Sequence, residues 1–77
     1  MPDDTPVIRV AQIWASRAES DRRFFVFRTR DGFVHGMDYY AHKSSTRDKT
    51  LGVHAFVDQF TLLEDTPAHL LRGAVHA

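Results

Sequence analysis

The sequence predicts a small, mainly β domain, and three observations carry that prediction. Phe24-Phe25-Val26-Phe27 is a run of β-favouring residues. Asp31-Gly32 follows it at the distance of a two-residue type I′ hairpin turn. Hydrophobic residues make up 43% of the chain, with one tryptophan, two tyrosines and six phenylalanines, which supports a packed core rather than disorder.

Taken in order, the first element fits two patterns. Val7, Val10, Ala11, Trp14 and Ala18 form a helical stripe, and Asp4-Thr5-Pro6 places a threonine N-cap before a first-turn proline. Ile8, Val10 and Gln12 alternate as in a strand. Residues 7–14 are read as a strand, and the polar residues 16–22 as a loop. Centring the hairpin turn on Asp31-Gly32 pairs Arg30 with Phe33, Thr29 with Val34, Arg28 with His35, Phe27 with Gly36, Val26 with Met37 and Phe25 with Asp38. One face then carries Phe25, Phe27, Thr29, Val34 and Gly36. The other carries Phe24, Val26, Arg28, Arg30, Phe33, His35, Met37 and Tyr39. An aromatic at Phe27 would cover the cross-strand glycine Gly36.

The polar residues 42–50 read as an exposed loop and residues 51–54 as a third strand. Val53, Phe56, Val57 and Phe60 lie at helical spacing, which predicts one helical or 3₁₀ turn over residues 55–60. Residues 61–63 make a last short strand. Asp65-Thr66-Pro67 repeats the helix-start pattern, so a short helix ended by Gly73 is expected within a tail over residues 66–77. The expected core is Ile8, Val10, Trp14, Phe25, Phe27, Val34, Val53, Phe56, Phe60 and Leu62.

This order of strand, loop, hairpin, polar loop, strand, helical turn and short strand resembles the SH3-like small β-barrels, including many short phage and plasmid proteins. The resemblance rests on Val10-Ala11-Gln12-Ile13-Trp14, the hairpin from Phe24 to Tyr39, and Phe56 to Phe60. It spans residues 7–63 and implies a barrel of four or five strands with the C-terminal helix added. The glycine such proteins often place before the Trp-containing strand is missing. Type II dihydrofolate reductases of plasmids share this fold, but their third-strand Val-Gln-Ile-Tyr motif is replaced here by Leu51-Gly52-Val53-His54. Fold alone does not give function.

The 77 residues predict a single domain. A chain this short buries only about 60% of the surface it exposes when unfolded, so its stability margin is thin. It has no cysteine, which excludes a disulfide scaffold and fits a reducing compartment. Met1-Pro2-Asp3-Asp4-Thr5-Pro6 lacks the features of a signal peptide, and no apolar run approaches a membrane span. A cytoplasmic location with no membrane partner is expected.

The net charge is zero but unevenly spread. Arg17, Arg22, Arg23, Arg28, Arg30, Lys43, Arg47 and Lys49, against five acidic residues, give the segment from Arg17 to Lys49 a net +3. The candidate working surface is Arg28, Arg30, Phe33, His35 and Tyr39, extended by Arg22 and Arg23. Arginine, phenylalanine, tyrosine and methionine are the residue types enriched at protein interface centres. A chain this small cannot easily bury all its aromatics, which favours a protein partner or a homo-oligomer. The same types suit single-stranded DNA or RNA, with bases stacked on rings and arginines on phosphates.

Enzyme motifs are lacking. The glycines Gly32, Gly36, Gly52 and Gly73 are scattered, so no phosphate-binding glycine loop is formed. Ser44-Ser45 stands outside any Gly-x-Ser-x-Gly elbow. The histidines His35, His42, His54, His69 and His76 include no close ligand pair, so neither a metal nor another cofactor is expected. The expectation is a non-enzymatic interaction module: a protein-binding accessory or inhibitory protein of phage or plasmid type, or alternatively a nucleic-acid-binding barrel.

Overall fold

A computed structural model describes residues 7–67. Among the described residues the fold is mainly β: five antiparallel strands in one sheet, with one short helix. The strands are β1 (Ile13–Ser16), β2 (Arg22–Arg30), β3 (Phe33–Tyr40), β4 (Thr46–Gly52) and β5 (Phe60–Glu64), and α1 (Val53–Gln59) lies between β4 and β5. The sheet order is β4-β3-β2-β1-β5. Its outermost strands do not pair with each other, so the sheet is open where a closed barrel was expected. The helix expected after Pro67 and the helix start at Asp4-Thr5-Pro6 lie outside the described residues.

The hairpin turn forms as the Asp-Gly pair predicts. Asp31 and Gly32 adopt φ values of 52° and 81°, the two positive angles a type I′ turn requires. Arg30 pairs with Phe33, Thr29 with Val34 and Arg28 with His35. Beyond them the expected register fails by one residue. The pairing shifts between Val26 and Arg28, leaving Phe27 without a partner, so Val26 faces Gly36, Phe25 faces Met37 and Phe24 faces Asp38. Such a β-bulge places two residues opposite one and resets the alternation of side chains beyond it.

Gly36 supplies the steric reason. A Cβ on Gly36 would run into the Phe25 carbonyl oxygen and the Phe24 ring. Phe24, not Phe27, therefore covers the glycine. The core is corrected accordingly: Phe24 and Val26 are fully buried, while Phe25 is half-buried and Phe27 exposed. Around Phe24, the Trp14 and Phe56 rings meet edge-on at 4.9 Å, Phe24 and Phe56 at 5.0 Å, and Phe56 stacks on Phe60 at 5.2 Å. Such pairs add about 0.5–1.5 kcal/mol each beyond their buried area. The seven-residue α1 has no side-chain N-cap and is held by this packing, with Val53, Phe56 and Val57 at i, i+3 and i+4 on the core.

Two further expectations are corrected. Residues 46–50, read as part of a loop, are most of β4, and the strand ends at Gly52 where α1 begins. As an outer strand pairing only with β3, β4 has no need of an apolar alternation; Arg47, Asp48 and Lys49 suit an edge that must resist further pairing. The strand expected over residues 7–14 begins only at Ile13, and Val10 is 53% exposed rather than core.

Gln12 explains why the segment before β1 is irregular. Its side chain is 1% exposed yet fully hydrogen-bonded. Its Oε1 accepts the Arg9 N–H at 2.8 Å and the Trp14 indole N–H at 3.0 Å. Its Nε2 donates to the Val7 carbonyl at 2.9 Å and to Asp65 Oδ1 at 2.8 Å. Nearby, the Thr66 hydroxyl donates to the Val10 carbonyl at 2.8 Å. The backbone kinks through Ala11, at φ 68°, to serve these partners. The two ends of the described chain are thus clasped beside Trp14.

Replacing Gln12 with alanine should lower stability by about 2–4 kcal/mol, because it strands the indole N–H and empties a filled site. Urea unfolding checks this. The Gln12 amide and the Thr66 N–H hold the Asp65 carboxyl below its ordinary value. Its contribution should therefore be complete above the unfolded value of about 4 and disappear as pH falls through the lower folded value. Unfolding of Asp65→Asn, followed from pH 6 to pH 2, should show a shallower acid loss than the parent.

Candidate functional site

The bulge leaves one sheet face carrying α1 and the core, and brings most of the sequence-predicted surface together on the other. On this outer face Arg28 pairs with His35, Arg30 with Phe33 and Arg23 with Tyr39. His35 Nδ1 lies 2.8 Å from the Thr50 hydroxyl across the β3–β4 ladder. The Phe27 ring stands 5.8 Å from His35 and 5.7 Å from Phe25. Phe33 is 53% exposed and Phe27 37%.

At the turn end these side chains shape two depressions. One, of about 290 Å³, is lined by Arg28, Arg30, Asp31, Phe33, His35 and Thr50. The other, of about 380 Å³, lies across Phe33 and is lined by Ile8, Thr29, Arg30, Asp31, Gly32, Phe33 and Val53. Arg30 makes only a loose, fully solvated pair with Asp31 at 3.6 Å, which holds neither side chain firmly. Phe33 and the two arginines are thus displayed near the turn of the β2–β3 hairpin.

The remaining predicted residues divide. Tyr39 and Arg23 lie on the same face, farther from the turn, and Arg23 is engaged by the Ser20 and Arg22 carbonyls at 2.7 and 3.2 Å. Arg22 is on the opposite face. Its Nε and Nη2 donate to Asp38 at 2.8 and 2.7 Å, its Nη1 to Glu19 at 3.2 Å, and its guanidinium lies 5.5 Å above the Phe60 ring. Hydrogen bonding to Asp38, opposed in part by burial, holds Arg22 protonated well above its ordinary value. Its partner network extends to Tyr40, whose hydroxyl donates to Glu19 at 2.9 Å and whose acidity is weakened chiefly by that bond.

Sequence reasoning missed Phe25 and Phe27 as outer-face residues, because an unbroken alternation assigns both to the core. The sequence signal that marks the bulge is Gly36 with bulky aromatics on both faces of the facing strand. Among the described residues no group of three His, Cys, Asp or Glu side chains could hold a metal ion, and no helix is long and apolar enough to cross a membrane. Compared with known proteins, the chain matches no family model, and searches of curated proteins and of solved structures find no match.

The two classes of arginine should separate experimentally. Arg28→Ala/Arg30→Ala should leave stability within about 0.5 kcal/mol, since both side chains are exposed and support no packing. Arg22→Ala should cost about 1–3 kcal/mol by leaving Asp38, only 12% exposed, without its fork of donors. Thermal unfolding followed by circular dichroism compares them.

Proposed function

We propose that this chain is a non-enzymatic interaction module that binds a protein partner through the outer face of its hairpin, as an SH3-like accessory or inhibitory protein would. The observation that carries the reading is the exposure of Phe27 and Phe33 beside Arg28 and Arg30, on the sheet face opposite α1. Burying one exposed phenylalanine contributes roughly 1.5–3 kcal/mol, and flanking arginines add directional contacts. The order of hairpin, third strand, helical turn and last strand is the one on which the SH3-like resemblance rests.

A second reading has a specific observation of its own. Phe33, opposite Arg30 and on the same face as Arg28, borders a depression large enough for a stacked base, as in single-stranded DNA or RNA binding. It ranks below protein contact because Arg22, Arg47 and Lys49 stand on the other sheet face and cannot extend a continuous cationic track.

The test uses the immobilised full chain and its Arg28→Ala/Arg30→Ala/Phe33→Ala variant side by side. Proteins retained by the parent should be lost from the variant, and labelled DNA and RNA should show no saturable binding at low salt. Identical retention by both baits would remove the site. Saturable nucleic-acid binding with a steep salt dependence would instead establish the second reading.

A further inference from the structure

On the opposite sheet face, beyond the end of α1, Arg22, Asp38, Tyr40, Ser45, Thr46, Arg47 and Lys49 line a groove of about 290 Å³. The pairing places the cations deliberately: Lys49 stands opposite Gly36 and Arg47 opposite Asp38. Both therefore project on the same side as Phe24 and Arg22. Asp38 is already committed to Arg22 through both carboxylate oxygens, at 2.8 and 2.7 Å. Lys49 Nζ reaches it only at 3.9 Å. Arg47 has no ion pair among the described residues.

The charge balance of the groove follows. Arg22 and Asp38 neutralise each other, and Arg47 with Lys49 leaves two positive charges uncompensated on the wall. Lys43, with its Nζ 4.8 Å from the Tyr40 ring centre, adds a cation at the rim, offsetting Glu19. Donors are equally available. Arg22 uses each of its nitrogens once, so both terminal nitrogens retain a second N–H. Ser45 and Thr46 also line the groove. Guanidinium forks and ammonium groups around a polar hollow match the tetrahedral oxygens of a phosphate.

We propose that this groove binds a dianionic phosphate group, carried by a phosphomonoester or present as inorganic phosphate. The Asp38 clamp holds Arg22 rigid, so one wall of donors is set before the ligand arrives. Arg47 and Lys49, on the outer strand, supply the charge that compensates it. The groove is on the other side of the sheet from the proposed protein-binding face, and the two sites stand or fall separately.

The test follows backbone amide resonances of the ¹⁵N-labelled full chain by NMR. Sodium phosphate and a nucleoside 5′-monophosphate are added separately, with ionic strength held constant by chloride. Saturable shifts should centre on Tyr40 and residues 45–49, and Arg47→Ala/Lys49→Ala should weaken binding by about tenfold or more. Arg28→Ala/Arg30→Ala should leave the affinity unchanged. Saturation by inorganic phosphate supports the phosphate group alone as the ligand; saturation only by the nucleotide supports a phosphomonoester. Should the double variant misfold, Arg47→Gln and Lys49→Gln are titrated singly, and each should still weaken binding. Shifts that never saturate with either probe, or variants that bind as the parent does, would overturn the proposal.

Discussion

One unpaired residue, Phe27, decides which side of this sheet is core and which faces the surroundings. Side chains alternate along a strand, so adding one residue to β2 inverts every assignment beyond it. The constraint behind the slip is the contact of Phe24 with Gly36, where no Cβ fits. Seating Phe24 there brings it against Phe56 and Phe60 and closes the aromatic core. Phe27 is displaced outward by the same step and joins Phe25 and His35 on the opposite face. The core and the candidate binding surface are therefore two consequences of one backbone irregularity.

The second organising feature is polar. A chain this short has little apolar area with which to hold the segments flanking its sheet, and here a buried glutamine joins them. Gln12 satisfies both of its carbonyl lone pairs and both amide protons while joining residues before β1 to Asp65 after β5. A fully satisfied buried network specifies geometry that apolar packing alone leaves loose. It also sets the indole of Trp14, the largest core side chain, in one orientation. The mainly β architecture depends on local turn chemistry at Asp31-Gly32 and on this long-range clasp together.

What was legible in the sequence follows from how local each cause is. The turn, the first three hairpin pairs, the helical spacing from Val53 to Phe60 and the last strand are encoded by neighbouring residues, and the residue pattern locates them. β4 was hidden because an edge strand carries charge where an interior strand alternates. The short β1 was hidden because Gln12 looks like a surface residue until its four partners, one of them Asp65, are brought around it. Of the candidate surface, Arg28, Arg30, Phe33 and His35 share one sheet face because the turn-centred pairing extends to them. Arg22 lies on the other face, where its role depends on Asp38 across the hairpin, beyond the bulge.

The two faces suit different chemistry: exposed rings with arginines on one, a charge-paired groove with surplus cations on the other. That division rests on the Phe27 bulge, so the most direct measurement is of proton–proton proximities around Gly36 by NMR. The structure requires strong NOEs between the Gly36 Hα protons and the Phe24 ring, and none to the Phe27 ring. NOEs from Gly36 to Phe27, with Phe24 open to solvent, would mean an unbulged hairpin. The core and both proposed surfaces would then have to be reassigned.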